Sequence, residues 1–152
     1  MCVIIDANVA VDAFLGRHAD YAYLMNAIRR GRTRLIYGGK LTREYSRTGR
    51  VFSLIVEMSR SGRAQGWPDA RVDELEDQLR SEGSCMSDDE HVIALARVSG
   101  ARLLCTRDND LTQDFKNRTL LTPKGKIYRR PSHKLLLDTS CEYRKCARCR
   151  RA

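Results

Sequence analysis

Apolar residues follow two patterns that alternate along the chain. Three short apolar runs stand out: VIID at 3–6, RLIYGG at 34–39 and ARLLCT at 101–106. Each run is typical of a strand buried in a parallel sheet. Between the runs, apolar residues recur at three- and four-residue spacing, as at Tyr21, Leu24, Met25 and Ile28, which is typical of a helix. The alternation predicts an α/β fold, with a parallel sheet covered by helices on both faces.

Residues that begin or end helices divide the rest of the chain. Besides the segment around 21–28, helices are predicted over 7–15, 40–47, 51–58, 68–79, 87–99 and 111–117. Gly16 and Gly100 are expected to stop two of them. Ser87 and Glu90 have the spacing of a capping box, which predicts a helix start at Ser87. From Pro123 onward the pattern is less periodic and predicts an edge extension with a strand at KIYR.

Length and composition favour one soluble domain. The 152 residues suffice for a single core, and no apolar run approaches the roughly 20 residues that cross a bilayer. The first ten residues lack the basic start and long apolar run of a secretory signal. The six cysteines are not distributed like a disulfide framework. We therefore expect a cytoplasmic protein with reduced thiols and no membrane partner.

Positive charge is concentrated near the C-terminal end. The formal net charge is +9, and residues 123–152 contribute +8 of it through ten Lys or Arg against two acids. Such a segment suits a polyanionic partner, since each phosphate contact releases counterions. A solvated tail that only aids solubility explains the same charge. The residues predicted to contact the phosphates of such a partner are Arg129, Arg130, Lys134, Arg144, Lys145 and Arg148.

Several acids are placed where a parallel sheet would bring them together. Asp6 ends the first predicted strand, while Asp108 and Asp110 follow the last clear one. All three are expected at the carboxyl edge of the sheet, where ligands bind. Glu44 and Asp89 each lie on an otherwise apolar helix face. Crowded carboxylates repel one another and a divalent cation removes that penalty, so the pattern predicts a metal site.

Each acid also has a simpler explanation. Asp6 can cap the following helix, and Asp89 can favour the positive end of its own helix. Asp108 and Asp110 can form a turn, and Glu44 can pair with a neighbouring arginine at the surface. One shared site accounts for all of these positions at once.

The same residues resemble a PIN domain over most of 1–122. VIIDANV resembles the opening strand of the family, LTREY its Glu-bearing helix, and DEHVIALARVSGARLLCTRDNDL its third acid, helix and Thr-bearing strand end. The resemblance implies an α/β/α sandwich, with a nuclease domain over 1–122 and a basic, cysteine-containing extension over 123–152. Its acidic positions fall on Asp6, Glu44, Asp89 and Asp108, with Asp110 as an additional or substitute acid and with Asn8 and Thr106 as polar supporting residues. Asp88 adjoins Asp89, so the register can shift by one residue, but the DxxVIxLA spacing favours Asp89.

The resemblance also implies hydrolysis of single-stranded or structured RNA with Mg²⁺ or Mn²⁺. We expect Asp6, Asp89 and Asp108 to hold the metal directly or through water, with Asp110 as a further ligand. Glu44 is expected to orient or deprotonate the attacking water. The reaction requires no histidine, so His18, His91 and His133 are expected at the surface or as satisfied core residues.

The C-terminal cysteines raise a separate metal question. His133, Cys141, Cys146 and Cys149 supply four candidate zinc ligands. A lone CxxC with irregular remaining spacing is a weak signal for structural Zn²⁺, so unliganded thiols are favoured.

Two functional hypotheses follow. The first is an endoribonuclease, either the toxin of a toxin–antitoxin pair or an effector controlled by an inhibitory or regulatory protein. The alternative is a noncatalytic RNA-binding or assembly module with the same fold, against which the complete acid set argues. A phosphatase-like or receiver-like domain is disfavoured because no phosphate-accepting motif is evident. A homodimer is expected from the family, although no interface is evident in the sequence.

Overall fold

Five parallel strands form the centre of the protein. The computed structural model describes residues 1–138. Its strands are β1 (Cys2–Ile5), β2 (Arg34–Gly38), β3 (Ala64–Trp67), β4 (Leu103–Cys105) and β5 (Lys126–Tyr128), in the sheet order β3-β2-β1-β4-β5. β1 lies between β2 and β4, and every residue of β1 and β4 is buried. Their wholly apolar sequences fit strands that are covered on both faces.

Helices cover the sheet on both sides. They are α1 (Ala7–Phe14), α2 (Ala22–Arg29), α3 (Lys40–Ser46), α4 (Gly49–Arg60), α5 (Asp69–Glu82), α6 (Glu90–Ser99) and α7 (Asn109–Lys116), with 3₁₀ helices at Ala19–Tyr21 and Pro131–Leu137. Right-handed crossovers place α1, α2 and α4 on one face, and α5, α6 and α7 on the other. α3 begins directly after β2 and contacts both α1 and α6. The predicted α/β/α sandwich with a parallel sheet is confirmed.

Three differences between the predicted elements and the structure have a clear physical cause, while other helix ends differ by one to three residues. β3 was not predicted, because its sequence AQGW has neither β-branched residues nor an alternating pattern. The helix start at Ser87 is wrong, since α6 begins at Glu90 with Asp89 as its N-cap residue. α7 begins at Asn109, two residues earlier than predicted, because Asp108 caps it.

Ser87 has another role than capping. Its backbone N–H and its hydroxyl both donate to Asp114 Oδ2 at 2.9 Å, and its hydroxyl accepts the Asp89 N–H at 3.3 Å. Asp114, buried on α7, also accepts the Met86 N–H at 2.9 Å. The loop before α6 is therefore held by α7, and this contact sets the position of Asp89.

Residues 126–138 pack against the same core. The strand predicted at KIYR is present as β5, which pairs with β4. Tyr128 is buried and donates to the Asp20 carbonyl at 2.9 Å. Leu137 is also buried, and its carbonyl accepts the Thr33 hydroxyl at 3.2 Å. In the part of the chain that the structure describes, no helix is long and apolar enough to cross a membrane.

Candidate active site

Asp6 lies where β1 ends, at the carboxyl edge of the sheet. It is only 2% exposed, and its backbone N–H donates to the Cys105 carbonyl at 2.9 Å. Its Oδ1 accepts the Asn8 N–H at 3.4 Å as the N-cap of α1, and its Oδ2 accepts the Thr106 hydroxyl at 2.7 Å. Burial raises the pKa of Asp6, and these two hydrogen bonds offset part of that rise. A buried carboxylate is thus fixed at the end of the central strand.

Thr106 connects Asp6 to Asp108. The Thr106 hydroxyl that donates to Asp6 also accepts the Asp108 N–H at 3.0 Å. Asp108 in turn caps α7, because its Oδ1 accepts the Leu111 N–H at 2.8 Å. The capping explanation and the shared-site explanation are compatible, since each carboxylate oxygen has two lone pairs and a capping bond occupies one.

The start of α3 determines where Glu44 lies. Gly39, between β2 and α3, has φ +60°, and a Cβ there would stand 2.7 Å from a side-chain carbon of Val72. Only glycine fits this turn without strain. Six residues further on, the Tyr45 hydroxyl donates to the Ile5 carbonyl. This bond ties α3 to the end of β1 and brings Glu44 to the same edge as Asp6.

Glu44 forms a hydrogen bond with His91 of α6. His91 Nε2 lies 3.1 Å from Glu44 Oε2, and this hydrogen bond is the main cause that lowers the pKa of Glu44. The alternative explanation, a surface pairing of Glu44 with Arg43, is wrong, because Arg43 bonds Asp73 at 3.0 and 3.2 Å instead. The Glu44 carboxylate is therefore only partly exposed and is held by the buried His91.

His91 is the residue that sequence reasoning missed. Its side chain is completely buried, and its Nδ1 has no hydrogen-bond partner among the described residues. This nitrogen lies 4.0 Å from Asp89 Oδ1. For His91, the expectation of a surface or satisfied histidine is therefore wrong. The available signal was its position two residues after Asp89, at the start of an apolar helix.

Asp89 completes the arrangement from the N-cap position of α6. Its side chain makes no capping hydrogen bond and is 24% exposed. Burial is the main cause that raises the pKa of Asp89; Asp6 is next, and Glu44 and Asp108 act in the same direction. His91 opposes them. The structure thus brings Asp6, Glu44, Asp89 and Asp108 into one electrostatically coupled region.

Other predicted site residues lie further out. Asp110 is exposed in the first turn of α7. Asn8 is also exposed, and its backbone N–H, not its side chain, contacts Asp6. Asp88, the alternative register for Asp89, is exposed.

The predicted RNA-binding residues divide into three groups. Arg129 is partly buried beside α7, and Arg130 is exposed. Lys134 lies over the ring of Tyr23, 5.4 Å from its centroid. Arg144, Lys145 and Arg148 lie outside the described residues.

The zinc hypothesis is similarly limited. His133 Nδ1 accepts the Arg129 N–H at 3.0 Å, whereas Cys141, Cys146 and Cys149 lie outside the described residues.

The donor chemistry at the acids suits a hard divalent cation. Oxygen ligands are the ones Mg²⁺ prefers. Burial is the main cause that raises the pKa values of Asp6 and Asp89, with repulsion from neighbouring acids as a smaller one, and added positive charge would offset both. Within residues 1–138, however, no group of three or more His, Cys, Asp or Glu lies close enough together to hold a metal ion. Mg²⁺ usually takes few protein ligands and keeps several waters, so this is the kind of ion that such oxygen donors would suit.

The family model of the PIN domain matches residues 2–110. The chain belongs to the PIN-domain family. PIN domains are generally nucleases and typically use divalent metals such as Mg²⁺. The match includes all four converging acids and ends at Asp110, before most of α7 and β5. Searches of curated proteins and of solved structures found no match.

Proposed function

We propose that this PIN domain is a metal-dependent endoribonuclease. The observation that carries the proposal is the meeting of Asp6, Glu44, Asp89 and Asp108 at one edge of the sheet, where burial and mutual repulsion raise the pKa values of Asp6 and Asp89. Ionised carboxylates placed this way cost stability unless a cation or a substrate uses them. Family membership supports nuclease chemistry in general.

In this proposal Asp6, Asp89 and Asp108 hold Mg²⁺ or Mn²⁺, some of them through water. Asp110, which is exposed in the first turn of α7, is a further ligand in this proposal. The bound cation supplies charge neutralisation at the scissile phosphate and a more acidic water. Thr106 keeps Asp6 and Asp108 in register through its two hydrogen bonds.

Glu44 positions the attacking water and accepts its proton. The hydrogen bond from His91 lowers the pKa of Glu44 and so keeps this carboxylate ionised. A base must be unprotonated and within hydrogen-bond reach of the water. Since His91 occupies Oε2, the other carboxylate oxygen is available to the water.

The experiment compares RNA cleavage by the wild type and by three isosteric variants, with and without Mg²⁺ or Mn²⁺. Asp6→Asn and Asp89→Asn should lower the rate by about 100-fold or more, since the stabilisation from the metal is worth several kcal/mol. Asp88→Asn is the matched control, because it removes one exposed acid next to Asp89 and should retain activity. If Asp88→Asn loses cleavage activity and Asp89→Asn retains it, the acidic site residue is Asp88 and not Asp89.

Two outcomes would contradict the proposed nuclease activity or its mechanism. Cleavage that does not need a metal, or that Asp6→Asn and Asp89→Asn retain, would reject the proposed chemistry. RNA binding without cleavage in every condition would favour the noncatalytic RNA-binding or assembly module.

The biological setting follows the same proposal. A cell must restrain a cytoplasmic ribonuclease, so we predict a regulatory protein partner, as in a toxin–antitoxin pair. A homodimer is a separate prediction. Co-expression with the product of a neighbouring gene tests restraint, since an inhibitor should suppress cleavage by the wild type.

Deletion of 139–152 tests the basic tail. If the salt dependence of RNA binding is unchanged, the tail does not contact phosphates.

A further inference from the structure

A basic groove lies beside the candidate active site. It has a volume of about 500 Å³ and runs between α7 and the segment that contains and follows β5, which is within the roughly 300–1,000 Å³ range of ligand-binding clefts. Lys116, Arg129, Arg130 and His133 line it together with neutral residues, and its lining contains no Asp or Glu. The groove thus offers positive charge and hydrogen-bond donors without carboxylates to neutralise them.

Arg129 fixes the end of the groove nearest the acids. Its guanidinium donates to Thr112 Oγ1 at 2.7 Å, to Asn109 Oδ1 at 3.1 Å and to the Asp108 carbonyl at 3.4 Å. These acceptors are neutral, so they hold the side chain in place and leave its charge uncompensated. The groove therefore begins beside the backbone of Asp108.

Lys116 and Arg130 supply further charge along the groove. Both are exposed, and neither side chain has an ion-pair partner among the described residues. His133 lines the same groove, where burial lowers its pKa and Arg130, Lys116 and Arg129 lower it further. Three cationic side chains, those of Lys116, Arg129 and Arg130, therefore line one cleft. A cleft lined by one sign of charge concentrates ions of the opposite sign.

We propose that this groove binds a backbone phosphate of the RNA strand, beside the phosphate that is cleaved near Asp108. The inference rests on the proposed function and adds to it the path of the substrate. Arg and Lys donors suit phosphate oxygens. An acidic protein segment is the less favoured ligand, because the groove begins at the acids that would act on a phosphodiester. The PIN-domain match ends at residue 110, so most of the groove comes from sequence beyond it.

The test is binding of a short fluorescent single-stranded RNA to the full chain in EDTA, measured by anisotropy over a range of salt concentrations. Lys116→Ala/Arg130→Ala should weaken binding by about tenfold and lower the slope of log K against log salt by about two. Arg50→Ala/Arg60→Ala is the charge-matched control, since both residues are exposed on α4, on the opposite side of the sheet. Lys116→Arg/Arg130→Lys keeps the charge and should bind like the wild type.

Three results would overturn the proposal that the groove binds a backbone phosphate. One is unchanged affinity and salt slope in Lys116→Ala/Arg130→Ala, and another is an equal loss in the α4 control. The third is that Lys116→Ala/Arg130→Ala weakens binding of a polyglutamate peptide but does not weaken binding of RNA. Because EDTA prevents metal-dependent cleavage, the outcomes are separable from those of the nuclease. Groove-dependent binding without cleavage in any metal would reject only the nuclease, whereas active enzyme with groove-independent binding would reject only the groove.

Discussion

His91 of α6 and Glu44 of α3 are joined by a contact of 3.1 Å between Nε2 and Oε2. The two residues are 47 positions apart, and the contact connects α3 with α6, which pack against each other. An ionised carboxylate only accepts hydrogen bonds, so Nε2 donates. The bond both orients Glu44 and lowers its pKa. His91 is therefore a positioning residue in the proposed mechanism, acting through Glu44.

Replacement of His91 should separate this role from packing. We expect His91→Leu to lower kcat by about 10- to 100-fold, as removal of groups that orient metal-site residues typically does, with a smaller change in KM. His91→Gln, which retains an N–H donor, should recover part of the activity. Without the donor the pKa of Glu44 rises, so the acidic limb of the pH–rate profile should move to higher pH. The measurement is kcat across pH for the three proteins, and superimposable profiles would exclude positioning through Glu44.

Thr106 offers a second test, of the link between Asp6 and Asp108. Thr106→Val keeps the shape but leaves the Asp6 oxygen and the Asp108 N–H without this partner. We expect the free energy of unfolding to fall by about 1–3 kcal/mol, the cost of unsatisfied buried polar groups. Urea denaturation measures it, and Thr106→Ser, which retains the hydroxyl, should remain close to the wild type. A Val variant as stable as the wild type would show that this bond contributes nothing to holding the edge together.

The sequence predicts the site better than it predicts the contacts within it. Asp6 and Asp108 follow apolar strands. Because β1 and β4 pair in parallel, residues that follow their carboxyl ends lie at the same edge of the sheet. Glu44 was predicted as a site residue because a solvated acid is out of place on an apolar helix face. His91 was not, because a histidine among apolar residues is ordinary until its neighbours are known. Its partner comes from α3, and only the packing of α3 against α6 reveals it.

Local signals fail where tertiary contacts replace them. Ser87 and Glu90 have capping-box spacing, yet the Ser87 hydroxyl donates to Asp114, which is 27 residues away. β3 likewise depends on its pairing with β2 rather than on its own sequence. Both cases are decided by distant residues, whose positions no single-segment pattern contains.

The pH dependence of stability without metal provides a third prediction. The pKa of Asp89 is raised from its ordinary value of 3.8 in the folded protein, mainly by burial. Its ionisation therefore opposes folding: the penalty is absent below 3.8 and grows as pH rises through the raised folded pKa. Asp6 acts in the same direction, whereas Glu44, with a lowered pKa, contributes stability that is lost as pH falls through that pKa.

Asp89→Asn should consequently be more stable than the wild type at pH 7 in EDTA. The difference should shrink toward zero below pH 3.8, where Asp89 is neutral in both states. Urea unfolding at the two pH values measures it, with Asp88→Asn as the exposed control. A wild type that is more stable than Asp89→Asn at pH 7 in EDTA would contradict the sign of this shift.

Addition of Mg²⁺ should reverse that order. A cation that binds only the folded protein stabilises it by RT ln(1 + [L]/Kd), about 2.7 kcal/mol at 100 times Kd. We expect this gain in the wild type and in Asp88→Asn, and a much smaller one in Asp89→Asn, because the removed charge is one of those that the cation would neutralise. Unfolding at pH 7 over a Mg²⁺ titration gives all three curves without any assay of cleavage. Equal gains in the three proteins would place the cation away from Asp89, and no gain in the wild type would leave the acids without the ion that the proposed nuclease requires.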